Sequence, residues 1–183
     1  RIRALISLGH TVDLVTYPFG QDVSISGLRV FRCIRPPFLN SVRIGPSWAK
    51  VPLDMSLALE AIRRALQNSY DVVHSHEEGV VAGVLLAKLM KVPHLYDMHS
   101  SLPQQLSNFG FSRSRILNGI FSSIEKMAVR CSRVVVVICP YLKEVVRAID
   151  PDATIVLIEN APGASDSSPS KVTGGSVRRK LGL

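Results

Sequence analysis

An α/β fold, a parallel sheet with helices on both faces, is predicted for this chain by three observations. Strand-like and helix-like runs alternate along the 183 residues with short connections, the pattern of right-handed βαβ units. The run RVVVVI at Arg133–Ile138 has almost no polar alternation, as expected of a strand buried on both faces. Hydrophobic residues make up 46% and charged residues 20%, enough apolar side chain for one sizeable core and too much for a disordered chain. The length allows one domain and hardly two. No internal period of about 20–50 residues marks a solenoid.

The elements follow in order. Ile2, Leu5 and Ile6 recur at helical spacing, with Gly9 where a helix would end. Thr11–Thr16 alternates like a strand, and Leu28–Ile34 reads as a second one. A loop is expected between Pro36 and Pro52, carrying the single Trp48. Asp54 is a plausible N-cap for a helix whose Met55, Leu59, Ile62 and Leu66 share one face. Asp71–Ser75 is a short strand, Glu78–Met90 a mostly apolar helix and Pro93–Met98 the next strand. A polar loop, His99–Phe111, leads to a helix over Ser114–Cys131. There Ile116, Ile120, Ile124 and Met127 form a stripe expected to pack on the sheet. After the valine strand, Pro140 suits position N1 of a helix running through Tyr141–Ile149, and Ala153–Ile158 is the last strand. Gly163–Gly175 has the composition of a linker, and Ser176–Leu183 reads as the first turn of a further element.

Composition excludes several functions. There is no run of about 20 apolar residues to span a membrane, and no signal-peptide pattern opens the chain. Arg1 instead begins inside a helical pattern, so a fragment is expected. Cys33, Cys131 and Cys139 are odd in number and lack C-x-x-C spacing, which points to buried thiols in a reducing compartment. The net charge of +8 suits an anionic partner: nucleotide phosphate, membrane lipid or nucleic acid. Aromatic residues are only 6% and are not interleaved with the basic ones, which argues against nucleic acid. G-x-S-x-G, G-x-G-x-x-G, Walker and H-E-x-x-H motifs are all missing.

Candidate chemistry sits at strand ends, because ligands of open parallel sheets bind outside the carboxyl ends of the strands. His74 and His76 close one predicted strand, followed by Glu77 and Glu78. Asp97 and His99 close the next, followed by Ser100 and Ser101. Adjacent strands would bring His76, Glu77, Asp97 and His99 to one rim. His74 and His76 share a strand face, but no third ligand follows at a recognised spacing, so no metal is expected. His74 and His94 are expected to be satisfied strand histidines facing the core or a helix. His99, in a polar loop after a strand, is the expected functional histidine.

The segments LISLGHTVDLVTYP, DVVHSHEEG, VPHLYDMHSSLPQQL, CSRVVVVICPYLKEVV and ATIVLIENAP resemble, in order and spacing, the N-terminal half of glycosyltransferase family 4. The resemblance spans about residues 3–162. It implies one half of a GT-B enzyme, in which two Rossmann-like domains face each other across a cleft. This half would be the acceptor-side domain over residues 1–162 without its first strand. A flexible linker would follow at 163–175 and the start of a donor-binding domain at 176–183. The family is retaining, uses a nucleotide-sugar donor bound mainly by the other domain, and needs no cofactor or catalytic metal. His99 matches the histidine that reaches the transferred sugar. His76 matches a rim position, and Glu77, Asp97 and Ser100 complete the expected substrate-binding set.

The acceptor would be a glycan or a lipid-linked molecule, and the chain alone would be inactive. The location would be cytoplasmic, with a peripheral contact to anionic membrane through Arg115, Lys126 and Arg130 as one option. The competing readings are another GT-B protein, such as a nucleotide-sugar epimerase, and a non-catalytic binding module.

Overall fold

A computed structural model describes residues 1–37, 39, 50–108 and 115–159. The expected linker at Gly163–Gly175, the Ser176–Leu183 segment and Trp48 lie outside the described residues. The elements run α1 (Ile2–Ser7), β1 (Val12–Thr16), β2 (Leu28–Arg32), α2 (Lys50–Gln67), β3 (Val73–His76) and a 3₁₀ turn at Glu77–Gly79. Then come α3 (Val80–Met90), β4 (His94–Met98), α4 (Leu102–Asn108), α5 (Arg115–Cys131), β5 (Val134–Val137), α6 (Pro140–Ile149) and β6 (Ile155–Leu157).

Every strand pair is parallel, as the alternation predicts, but the strands form two sheets: β1-β2, and β3-β4-β5-β6. Among the described residues, β1 and β3 each leave one edge without a partner. Between them runs a groove of about 580 Å³, walled by Asp13–Tyr17 of the first sheet and Val73–His76 of the second. Its floor includes Leu57 and Ala61 of α2 and Gly83 and Leu86 of α3.

Parity along the strands sorts the side chains. Tyr96 pairs with Val135 and Met98 with Val137, so all four point to one face. That face is the core, closed by Val80 and Val84 of α3, Ala128 and Val129 of α5, and Leu142 and Val146 of α6. Right-handed crossovers from β3 through β6 place these helices in one layer, and α2 packs at its edge against α3. The opposite face carries His74, His76 and Asp97. Arg1, at the start of α1, bonds Asp97 and so places α1 on that second face. Pro140 stands at N1 of α6, after Cys139 in an extended cap conformation (φ −154°).

Four local expectations are corrected. Helix α2 begins at Lys50, before Asp54, which lies inside it and accepts the Tyr17 hydroxyl. Its stripe of Met55, Leu59, Ile62 and Leu66 is exposed, while Leu53 is the buried residue. Arg64 anchors the helix from its inner side by stacking 3.8 Å over the Phe31 ring of β2. On α5 the buried face centres on Glu125, Ala128 and Val129. Of the predicted stripe, Ile124 and Met127 pack against the core, whereas Ile116 and Ile120 are exposed. Finally, the expected polar loop after β4 contains a helix, α4, whose first turn is fastened by Glu125 as described below.

Candidate functional site

The site is built at the carboxyl ends of β3 and β4, which are adjacent as the spacing predicts. Register places His76 opposite Asp97 and His74 opposite Leu95, and the period of two puts both histidines on the face of Asp97. Asp97 is fully buried and receives the Arg1 guanidinium. Around it converge His74 Nε2 at 3.4 Å, His76 Nδ1 at 3.5 Å and, on the other carboxylate oxygen, His99 Nε2 at 3.3 Å. The His74 and His76 rings stack with centroids 4.9 Å apart, and His99 tilts against His76 at 5.4 Å.

Burial is the first cause that pushes His74 and His76 down to about 4, and the Arg1 charge and neighbouring rings add to it. His99 is lowered by burial and Arg1 against an opposing pull from Glu77. All three rings are therefore neutral at pH 7, each with one donor and one acceptor nitrogen. His74 Nε2, His99 Nε2 and Asp97 Oδ1 are buried without a hydrogen-bond partner among the described residues. Such atoms are costly unless something polar meets them. The cluster thus offers neutral imidazoles to a polar ligand at the mouth of the groove, which His74, His76, Glu77 and His99 line. His74, His76 and Asp97 also present three atoms within 4.8 Å of one another, a geometry a metal ion can use. Arg1 already occupies Oδ2 of Asp97, the carboxylate oxygen that His74 and His76 approach.

The rim is held from behind. Glu77 turns the chain from β3 into α3 with a φ of +40°, an uncommon conformation for a residue with a side chain. Its carboxylate accepts the Ser100 hydroxyl at 3.5 Å and the Gln105 amide at 3.4 Å, and Gln105 also bonds Ser100. Glu125, buried on α5, accepts Leu102 N at 2.8 Å and the Ser101 hydroxyl at 3.2 Å. Burial raises its pKa, and these bonds oppose the rise. Together they fasten the segment just after His99.

The structure therefore gathers His76, Glu77, Asp97, His99 and Ser100 at one rim. His94 is a satisfied strand histidine as expected. Ser132 Oγ donates to Ala128 O at 2.6 Å, so it accepts from His94 Nδ1 at 2.8 Å. That leaves Nε2 to accept the Ser75 hydroxyl at 2.8 Å. The expectation for His74 is corrected: it faces Asp97, because two-residue alternation gives it the side of His76 and gives Ser75 the core. Arg1, Gln105 and Glu125 were not singled out from the sequence. Only Glu125 carried a signal, a lone acid within an apolar helix stretch.

One consequence is a pH dependence of stability. His94 is pushed down to about 4 by burial, from an ordinary value of 6.5. Between those values the unfolded chain binds the proton and the folded chain does not, so stability rises with pH there. It should be complete above pH 6.5 and fall as pH drops toward 4, with His74 and His76 acting in the same window. Urea unfolding from pH 7.5 to 4.5 measures this, and His94→Gln should remove part of the slope. A flat profile would contradict neutral buried imidazoles.

A family model described as a glycosyl transferase 4-like domain matches residues 2–161. The chain is 30% identical over 113 residues to the sulfoquinovosyl transferase SQD2 of Arabidopsis thaliana, covering 61% of this chain and 21% of that protein. Sucrose-phosphate synthase (tll1590) from Thermosynechococcus elongatus superposes with a TM-score of 0.66 at 16% identity, over 98% of this chain and 44% of that one. A second structure of that synthase gives 0.63 at 16% identity, over 99% and 91%. The chain spans about a fifth of the curated relative.

Proposed function

Because the chain belongs to the glycosyl transferase 4-like family, we propose that it forms the acceptor-side half of a two-domain glycosyltransferase. The observation that carries the reading is the ring of neutral imidazoles around a buried Asp97, open to the groove. A sugar presents hydroxyls, and neutral imidazoles can donate to them or accept from them. His99 is read as the contact to the transferred sugar, with His76, Glu77, Asp97 and Ser100 forming or supporting the rim.

The donor would be a nucleotide sugar, its diphosphate held mainly by a second domain, and the acceptor a glycan or lipid-linked hydroxyl compound. In the transfer, the bond from the anomeric carbon to the phosphate oxygen breaks and a bond to the acceptor oxygen forms. The acceptor proton passes to the departing phosphate, which is consistent with retention without a protein nucleophile. Charge at the sugar and phosphate must be stabilised in such a step. No step in this reading requires a resident cofactor or metal.

The groove between β1 and β3 supports one further reading, that it seats an additional parallel strand. Inserted there, that strand would make the order β2-β1-new-β3-β4-β5-β6, whose first six positions follow the order of a doubly wound sheet. Its carboxyl end would then lie beside the histidine rim.

In the full-length protein His99→Ala is expected to lower turnover at least about tenfold, or about 1.4 kcal/mol of transition-state stabilisation. The melting temperature should move little, since His99 is partly exposed beyond the strand end. Turnover per folded molecule equal to that of the parent would refute the assignment.

A further inference from the structure

We propose that the outer face of the α2, α3 and α5 layer is a docking surface for an anionic lipid bilayer. The inference does not depend on the transferase reading.

The face is apolar and turned away from the sheet. On α2, Val51, Met55, Leu59, Ile62 and Leu66 fall within about 80° at 100° per residue. Leu59 is 66% and Leu66 79% exposed, opposite the buried Leu53. On α3, Val81, Leu85 and Leu89 recur every fourth residue, with Leu85 63% exposed, while Val80, Gly83, Val84 and Ala87 face inward. The two stripes meet. Ile62, Ala65 and Leu66 share a hollow of about 320 Å³ with Leu89 and Met90. Helix α5 packs next to α3 and continues the face with Ile116, 76% exposed, and Ile120. A run of exposed Leu, Ile, Val and Met across three neighbouring helices is larger than scattered surface apolar residues explain.

Charge selects the occupant. Every exposed charged side chain on these three helices is basic: Arg63, Lys88, Arg115, Lys126 and Arg130. Their carboxylates are turned in. Asp54 accepts the Tyr17 hydroxyl, Glu60 lies under Arg63 and Arg64, and Glu125 is buried at the start of α4. The exposed Asp71 lies beyond the end of α2. A second copy would bring like patches together across a twofold axis, setting these cations against each other. An anionic bilayer accepts both features: leucine and isoleucine enter the interface while flanking lysine and arginine remain at the headgroups. Among the described residues no helix is long and apolar enough to cross a membrane, so the contact would be peripheral.

Flotation of the full chain with vesicles of phosphatidylcholine, with and without one quarter phosphatidylglycerol, tests this at low and moderate salt. Recovery is expected with the anionic vesicles and not with pure phosphatidylcholine. The pair Lys88→Glu with Lys126→Glu should weaken binding at least about tenfold. The pair Leu59→Ser with Leu85→Ser should weaken binding even at low salt, and since both side chains are exposed circular dichroism should show the fold intact. Equal recovery on both lipids, or recovery unchanged in both pairs, would overturn the proposal. So would a dimer by sedimentation velocity that the leucine pair converts to a monomer, since the face would then be an interface between copies.

Discussion

Substituting Asp97 by asparagine in the full-length protein is expected to lower turnover about a hundredfold or more, equivalent to about 2.7 kcal/mol. Asp97 is the one group that Arg1, His74, His76 and His99 all approach within 3.5 Å. An amide of the same size keeps the packing but places an NH₂ among three imidazoles and a guanidinium, and removes the charge that holds Arg1. The rings then lose their common reference, and small displacements of positioning groups are costly in rate. Stability should change far less. A buried charge gives back its desolvation cost when removed, and the Arg1 side chain, already 24% exposed, can turn to water. Turnover and thermal unfolding of the same preparation separate the two effects. A loss of turnover matched by loss of folded protein would make Asp97 a structural residue instead.

Gly83→Ala is expected to destabilise the chain by about 2–4 kcal/mol, the cost of forcing atoms into a packed core. A Cβ on Gly83 would stand 2.6 Å from Ser75 Cβ and 2.8 Å from His94 Nε2, where α3 crosses β3. Either the helix moves off the strand or the Ser75–His94 hydrogen bond breaks. Gly119→Ala provides the opposite sign. It sits within α5, where a new Cβ would meet nothing within 4 Å, so better helix propensity should stabilise by about 0.5–1 kcal/mol. Urea unfolding of both variants decides the matter. Equal midpoints for the two would mean that α3 does not pack on β3 at this distance.

The order of elements was legible because it depends on local pattern. Val134–Val137 reads as a doubly buried strand from four consecutive valines, and that is where it lies. Adjacent histidine-bearing strand ends were legible for a related reason: consecutive parallel strands usually neighbour one another. His76, Asp97 and His99 could therefore be placed on one rim from spacing alone. Alternation puts His74 on the strand face of His76, but whether that face looks into the core or toward Asp97 depends on which face of β3 the helices cover.

Helix faces were the main loss. Periodicity on α2 and α5 correctly marks apolar stripes, but a stripe becomes core only where the sheet lies beneath it. Leu53 of α2 and Ala128 and Val129 of α5 fill that position, whereas Leu59 and Ile116 look outward. Arg1 on Asp97 and Glu125 at the start of α4 join residues 96 and 23 apart, beyond the reach of any local pattern. By itself, then, the sequence determined strand and helix identity, parallel pairing and the strand ends where chemistry gathers, because each follows from side-chain period and chain connectivity. Only the tertiary structure decided which helix face is buried, which histidine joins the aspartate and what closes behind them. Those depend on the packing of segments distant in the chain, where burial and charge are set by neighbours the local sequence does not name.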